Sequence, residues 1–97
     1  MKIVGRNIID DFSQKHVDAK KALDAWHNEA RHAQWKVPDD VLNRFPRGSV
    51  VGDDRFVFRI KGNHFRMVVV VKYTIGLVRI KFIGTHAEYD KIKSKEI

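Results

Sequence analysis

Residues 55–84, RFVFRIKGNHFRMVVVVKYTIGLVRIKFIG, decide the fold of this chain. Residues here alternate with a period of two, which marks strands with one buried face. Phe56, Phe58 and Ile60 alternate with Arg55, Val57, Arg59 and Lys61. Phe65, Met67, Val69, Val71 and Tyr73 alternate with Arg66, Val68, Val70 and Lys72, and Val78, Ile80 and Phe82 with Arg79 and Lys81. Gly62, Asn63 and Gly76 punctuate the runs, and Gly52, Asp53 and Asp54 precede them as turn residues. The pattern predicts an antiparallel meander with aromatic and aliphatic side chains on one face and basic ones largely on the other. A slip of one residue would bury several cations at a large desolvation cost, so the register is well specified.

Upstream, the period lengthens to that of helices. Asn7 is a candidate cap for a helix through Ile8 and Phe12 to about Lys15. Asp18 is a candidate cap for a second, whose Ala19, Ala22, Leu23, Trp26, Ala30 and Ala33 form one stripe at steps of three and four. Together they predict an αα-hairpin. Pro38 suits the first turn of a short third helix, with Asp39 and Asp40 at its positive end and Pro46 closing it after Phe45. Lys2 to Val4 is a short apolar opening suited to a further strand, and the tail KIKSKEI is expected to fray. The expected fold class is α+β: a small antiparallel sheet of about four strands, with the αα-hairpin and short helices on one face. With 97 residues there is material for one core, so residues 1–97 are read as a single domain.

The charge is unevenly placed. Of the 19 Lys and Arg, seven lie between Arg55 and Gly84, a segment with no Asp or Glu; the other twelve balance the 12 acidic residues elsewhere. A field so concentrated suits a polyanion, RNA foremost, or an acidic partner. The chain has no cysteine, which removes disulfides, thiolate metal sites and cysteine nucleophiles. It shows no long apolar stretch of signal-peptide or membrane-span type, so a cytoplasmic protein without membrane contact is expected. His27 and His32 stand five apart, the wrong spacing for a helical metal pair, and no phosphate-cradling or dinucleotide motif is present. Neither a metal nor a small-molecule cofactor is expected.

Directly after the last strand comes GTHAEYD, residues 84–90. Thr85 and Glu88 form a capping-box pair, and His86 and Tyr89 fall one turn apart on one face of the helix that the box starts. The positive end of that helix disfavours an imidazolium, which suits His86 to accept a proton. A ribonuclease without metal needs a base for the ribose 2′-hydroxyl proton, cations for the charge that develops on phosphorus, and an acid for the leaving 5′-oxygen. His86 and Tyr89 are the candidate proton-transfer groups, and Arg66, Lys61 and Arg79 the candidate cations. Arg59, Asn63, His64, Lys72 and Lys81 complete the candidate RNA contacts. A bland reading stands beside this one: the cap explains Thr85 and Glu88 alone, and the basic face then belongs to a non-catalytic module that docks RNA or an acidic protein. A DNA-binding regulator is the weaker third reading, since no convincing recognition helix is present.

The ordered run of Trp26, Ala30, Trp35, Lys36, Phe45 and Pro46, then VFRIKGNHFRMVV, and finally FIGTHAEYDKI resembles the HigB toxins of the RelE-like group, over nearly the whole chain. The resemblance implies a toxin that cleaves mRNA, usually on the ribosome, and is held inactive by a helix-turn-helix, HigA-like antitoxin. Asn63 and Arg66 match the family's hairpin positions, Lys61 less closely, and Thr85, His86, Tyr89 and Asp90 its C-terminal motif. Arg66 is then expected to stabilise charge, His86 to act as base, and Tyr89 to orient the substrate or share the proton transfer.

Overall fold

A computed structural model describes residues 1–52 and 54–92. Asp53 of the expected turn and most of the expected fraying tail, residues 93–97, lie outside the described residues. The element order is β1 (Lys2–Val4), α1 (Arg6–Lys15), a 3-10 turn (Val17–Ala19), α2 (Lys20–His32), α3 (Pro38–Arg44), β2 (Ser49–Val50), β3 (Arg55–Ile60), β4 (Phe65–Lys72), a second 3-10 turn (Tyr73–Ile75), β5 (Leu77–Thr85) and α4 (His86–Asp90). The strands form one sheet in the order β1-β5-β4-β3-β2, so the predicted meander β3-β4-β5 is its centre. The expected fourth strand, Lys2–Val4, takes one edge but makes the sheet mixed, where an antiparallel one was expected, and β2 is a fifth strand at the other edge. β1 is added parallel to β5, and the two-residue β2 is added antiparallel to β3. Among the described residues, no helix is long and apolar enough to cross a membrane.

The α+β reading is borne out: helices and one mixed sheet share the chain, and α1 and α2 pack together on one face of that sheet. Ile9 and Phe12 of α1 and Leu23, Trp26 and Ala30 of α2 join Phe56, Phe58, Ile60, Phe65, Met67, Val69, Val71, Val78 and Ile80 in one core. Phe58 stands at its centre, with Trp26 edge-on at 5.3 Å, Phe45 at 5.0 Å, Phe56 at 4.7 Å and Trp35 stacked at 6.4 Å. Both tryptophans are buried. Phe58→Ala empties the point where α2, α3 and the sheet meet, and is expected to cost ~3–5 kcal/mol. Thermal melts should show Tm falling by at least ~12 °C; a fall of only a few degrees would mean that the surrounding rings collapse into the space.

Two caps differ from expectation. Asn7 lies inside α1, whose N-cap is Gly5 in the left-handed region at φ 103°. The chain must turn there against β5: a Cβ on Gly5 would stand 3.1 Å from Ile80 Cβ, so only glycine fits both the torsion and the approach. Asp18 caps nothing either. Its carboxylate accepts from Lys61 Nζ at 3.0 Å, and the 3-10 turn supplies the entry to α2 instead. α3 begins at Pro38 as read, and Asp40 Oδ2 accepts from the Lys36 amide at 2.8 Å and the Val37 amide at 3.3 Å.

The largest departure is in β5. Phe65 to Val68 pair with Thr85 back to Phe82, but Val69 pairs with Ile80, so Lys81 is an extra residue in a β-bulge. A bulge reverses parity along its strand. Ile83, opposite Met67, therefore enters the core, and Phe82, opposite Val68, leaves it for the other face.

Candidate functional site

The face turned away from α1 and α2 is built in rows across β3, β4 and β5. Arg59, Arg66 and Gly84 form the first row; Val57, Val68 and Phe82 the second; Arg55, Val70 and Arg79 the third. The predicted basic face thus exists, with an apolar row between two cationic ones. Val57, Val68 and Val70 are buried even though they stand outside the core cluster.

Arg66 is 8% exposed, unusual for a cation. Its Nη1 donates to Asn63 Oδ1 at the tip of the β3–β4 hairpin, so the two hairpin residues singled out from the sequence meet. Its cross-strand neighbour on β5 is Gly84, which has no side chain to crowd it. A fixed, largely desolvated guanidinium acts more strongly on a nearby negative charge than a solvated one.

Beyond Gly84 the chain leaves the sheet through the predicted capping box. The Glu88 amide donates to Thr85 Oγ1 at 3.2 Å and the Thr85 amide to Glu88 Oε1 at 2.8 Å. The His86 amide donates to the His64 carbonyl at 3.2 Å, which ties the start of α4 to the hairpin tip. A Cβ on Gly84 would lie 3.1 Å from Glu88 Cβ, so α4 folds onto the Arg66 face. His86 therefore begins a helix two residues after the position opposite Arg66. Its ring is half exposed, with Nε2 3.6 Å from Asp90 Oδ1, and Tyr89, one turn on, is part-buried.

The bond from the Thr85 amide, then the one with its hydroxyl, and the charges of His16 and Lys91 hold the Glu88 carboxyl below its ordinary value of 4.5. A depressed folded value means that the cap's charge contribution is whole above that ordinary value and is lost as pH falls through the lower, folded one. Thr85→Ala is expected to cost ~1 kcal/mol at neutral pH. Melting curves of Glu88→Gln and the parent protein should separate at neutral pH and converge in acid; a constant gap would remove the carboxylate charge from the account.

The family model for HigB toxins, described as the RelE-like toxic component of a toxin-antitoxin system, matches residues 19–92. The chain belongs to the HigB toxin family. The mRNA interferase toxin HigB of Escherichia coli K12 is 27% identical over 92 residues, covering 93% of this chain and 88% of that protein. The mRNA interferase HigB of Shigella flexneri matches to the same extent. Another of that name, from Escherichia coli O6:H1, is 21% identical over 94 residues, 95% of this chain and 91% of its own length.

Within this HigB fold the remaining candidate residues divide. Arg59 flanks Arg66 in the first row and Arg79 lies in the third, both exposed. Lys81, exposed, is the bulge residue itself. His64 sits at the hairpin tip with Nδ1 2.9 Å from the Lys61 carbonyl. Lys61 does not join Arg66 and Arg79: its ammonium is held by Asp18, whose carboxyl it keeps below its ordinary value. Lys72 faces Asp54 Oδ2 at 3.4 Å. The acid-free segment thus borrows acidic partners from outside its own span. His16, between α1 and the 3-10 turn, stacks on Phe12 at 4.4 Å and meets Phe65 edge-on at 5.4 Å, beside the strand position opposite Thr85. Sequence spacing carried no signal for the contact with Phe65, because residue 16 lies far from it along the chain. Among the described residues, no three His, Asp or Glu side chains gather as metal ligands.

Proposed function

We propose that this protein is the endoribonuclease of a toxin-antitoxin pair, an mRNA interferase that cuts mRNA by acid/base chemistry at the 2′-hydroxyl. One observation carries the reading: a buried, hydrogen-bonded Arg66 stands opposite Gly84, and the capped helix bearing His86 and Tyr89 starts two residues later. The mRNA interferase names of its HigB relatives support it.

In this mechanism His86 takes the ribose 2′-hydroxyl proton, and the freed oxygen attacks the adjacent phosphorus. Charge grows on the phosphoryl oxygens, where Arg66 stabilises it. The bond to the 5′-oxygen breaks, that oxygen receives a proton, and a cyclic phosphate remains on the other fragment. Tyr89 orients the substrate or shares the proton transfer. No step requires a cofactor or a metal ion from the protein. Arg59, Asn63, His64, Arg79 and Lys81 hold the strand, with Lys61 and Lys72 joining it once they leave their carboxylates.

The substrate is mRNA on the ribosome, the compartment the cytoplasm, and the inhibitor a HigA-like helix-turn-helix antitoxin. Residues 1–97 act as one domain. Primer extension on cellular mRNA after brief induction tests the reading. New ends confined to translated regions are expected. Ends in untranslated RNA as well would remove the ribosome from it, and no new ends would leave a binding module.

A further inference from the structure

The open face carries one aromatic ring that strand alternation assigns to the core. Phe82 reaches this face because the bulge at Lys81 reverses its side, and it stands between the Arg59–Arg66 row and the row that ends in Arg79. The two cationic rows are four residues apart along the strands, ~13 Å at the rise of an extended chain. Val57 and Val68, in the same row as Phe82, are buried, whereas Phe82 keeps exposed area. Its ring lies along the sheet: a Cβ on Gly84 would stand 2.5 Å from Phe82 Cζ and 2.9 Å from Cε1. The bare glycine backbone is what lets the ring lie down there. A partly exposed ring set between cations is the arrangement by which proteins hold single-stranded nucleic acid, the base on the ring and the phosphates on the charges.

We propose that Phe82 is a base-stacking platform, which takes the face of one nucleobase of a single-stranded RNA while Arg66 and Arg79 hold phosphates on either side of it. The proposal rests on the reading of this face as the RNA site and deepens it. Stacking on a π-face tolerates every base, so Phe82 holds the strand in place and leaves sequence preference to other contacts. An acidic protein partner would use the cations but has no need of a flat ring between them.

The test uses an RNA oligonucleotide that carries 2′-O-methyl groups, so that it cannot be cut, and a fluorescent 2-aminopurine base. Phe82→Leu keeps an apolar side chain and removes the π-face; Phe82→Trp keeps the π-face. Phe82→Leu is expected to bind the oligonucleotide roughly 5- to 150-fold more weakly and to lose the fluorescence quenching that stacking causes. Phe82→Trp should retain both. Gly84→Ala puts a methyl group against the ring and should weaken quenching while leaving Phe82 in the chain.

Unchanged binding and quenching in Phe82→Leu would overturn the proposal, as would an equal loss in Phe82→Leu and Phe82→Trp when both melt like the parent protein. Loss of antitoxin affinity alone would assign the ring to a protein interface and overturn it too. Failure of the nuclease reading is separately visible. A parent protein that cuts no mRNA, yet binds this oligonucleotide through Phe82, keeps the platform and loses the chemistry.

Discussion

His86→Ala is expected to lower the single-turnover rate of mRNA cleavage by ~10²–10⁴-fold, the contribution of one positioned proton-transfer group. The side chain is half exposed and is not one of the buried core residues, so its removal is expected to leave the fold intact. The tie from α4 to the hairpin is also preserved, because the bond to the His64 carbonyl comes from the backbone of residue 86. Binding of an uncut RNA should therefore change little while the chemical step collapses. Added imidazole should restore part of the rate, since it replaces the missing base and nothing else. A variant that cuts at the parental rate would move the base elsewhere; His64 and His16, which converge on Phe65 at the same corner, would be next.

The second large effect is expected at Arg66. Arg66→Ala should reduce cleavage by ~10²–10³-fold, the usual cost of removing one preorganised donor to a developing negative charge. The loss belongs to the transition state, so it should fall mainly on the rate of the bound complex. Asn63 is exposed, so water replaces its lost partner at little cost in stability. Arg66→Lys keeps the charge but not the planar fork, and should recover only part of the activity. If Arg66→Lys and Arg66→Ala are equally inactive, the bidentate geometry matters more than the charge. If neither loses activity, Arg66 is a structural cation, and the stabilising charge must come from Arg59 or Arg79.

Much of this was legible in the order of residues, for identifiable reasons. The α2 stripe, the start of α3 at Pro38 and the capping box at Thr85 are local devices, in which residues a few positions apart meet whatever the rest of the chain does. The pairing of Asn63 with Arg66 is of the same kind, at a separation of three residues. Lys61 was different: its partner Asp18 lies 43 residues away, so only the folded chain brings the two together. Gly5 and Asn7 show the other limit. Asn7 has the right chemistry for a cap, but the close approach to Ile80 puts the turn at the glycine instead.

Residues 55–84, by themselves, determined three central strands, a buried aromatic face and a basic one, because period-two alternation and the cost of burying cations leave a single register for β3 against β4. Only the tertiary structure decided which side Phe82 takes. One extra residue at Lys81, absorbed by the pairing with β4, shifts the parity beyond it and sends Ile83 inward and the ring outward. A bulge is a property of two strands together, so nothing in one strand's own alternation announces it. The structure likewise decided which cations remain on the open face, because Lys61 and Lys72 meet carboxylates supplied from outside the segment.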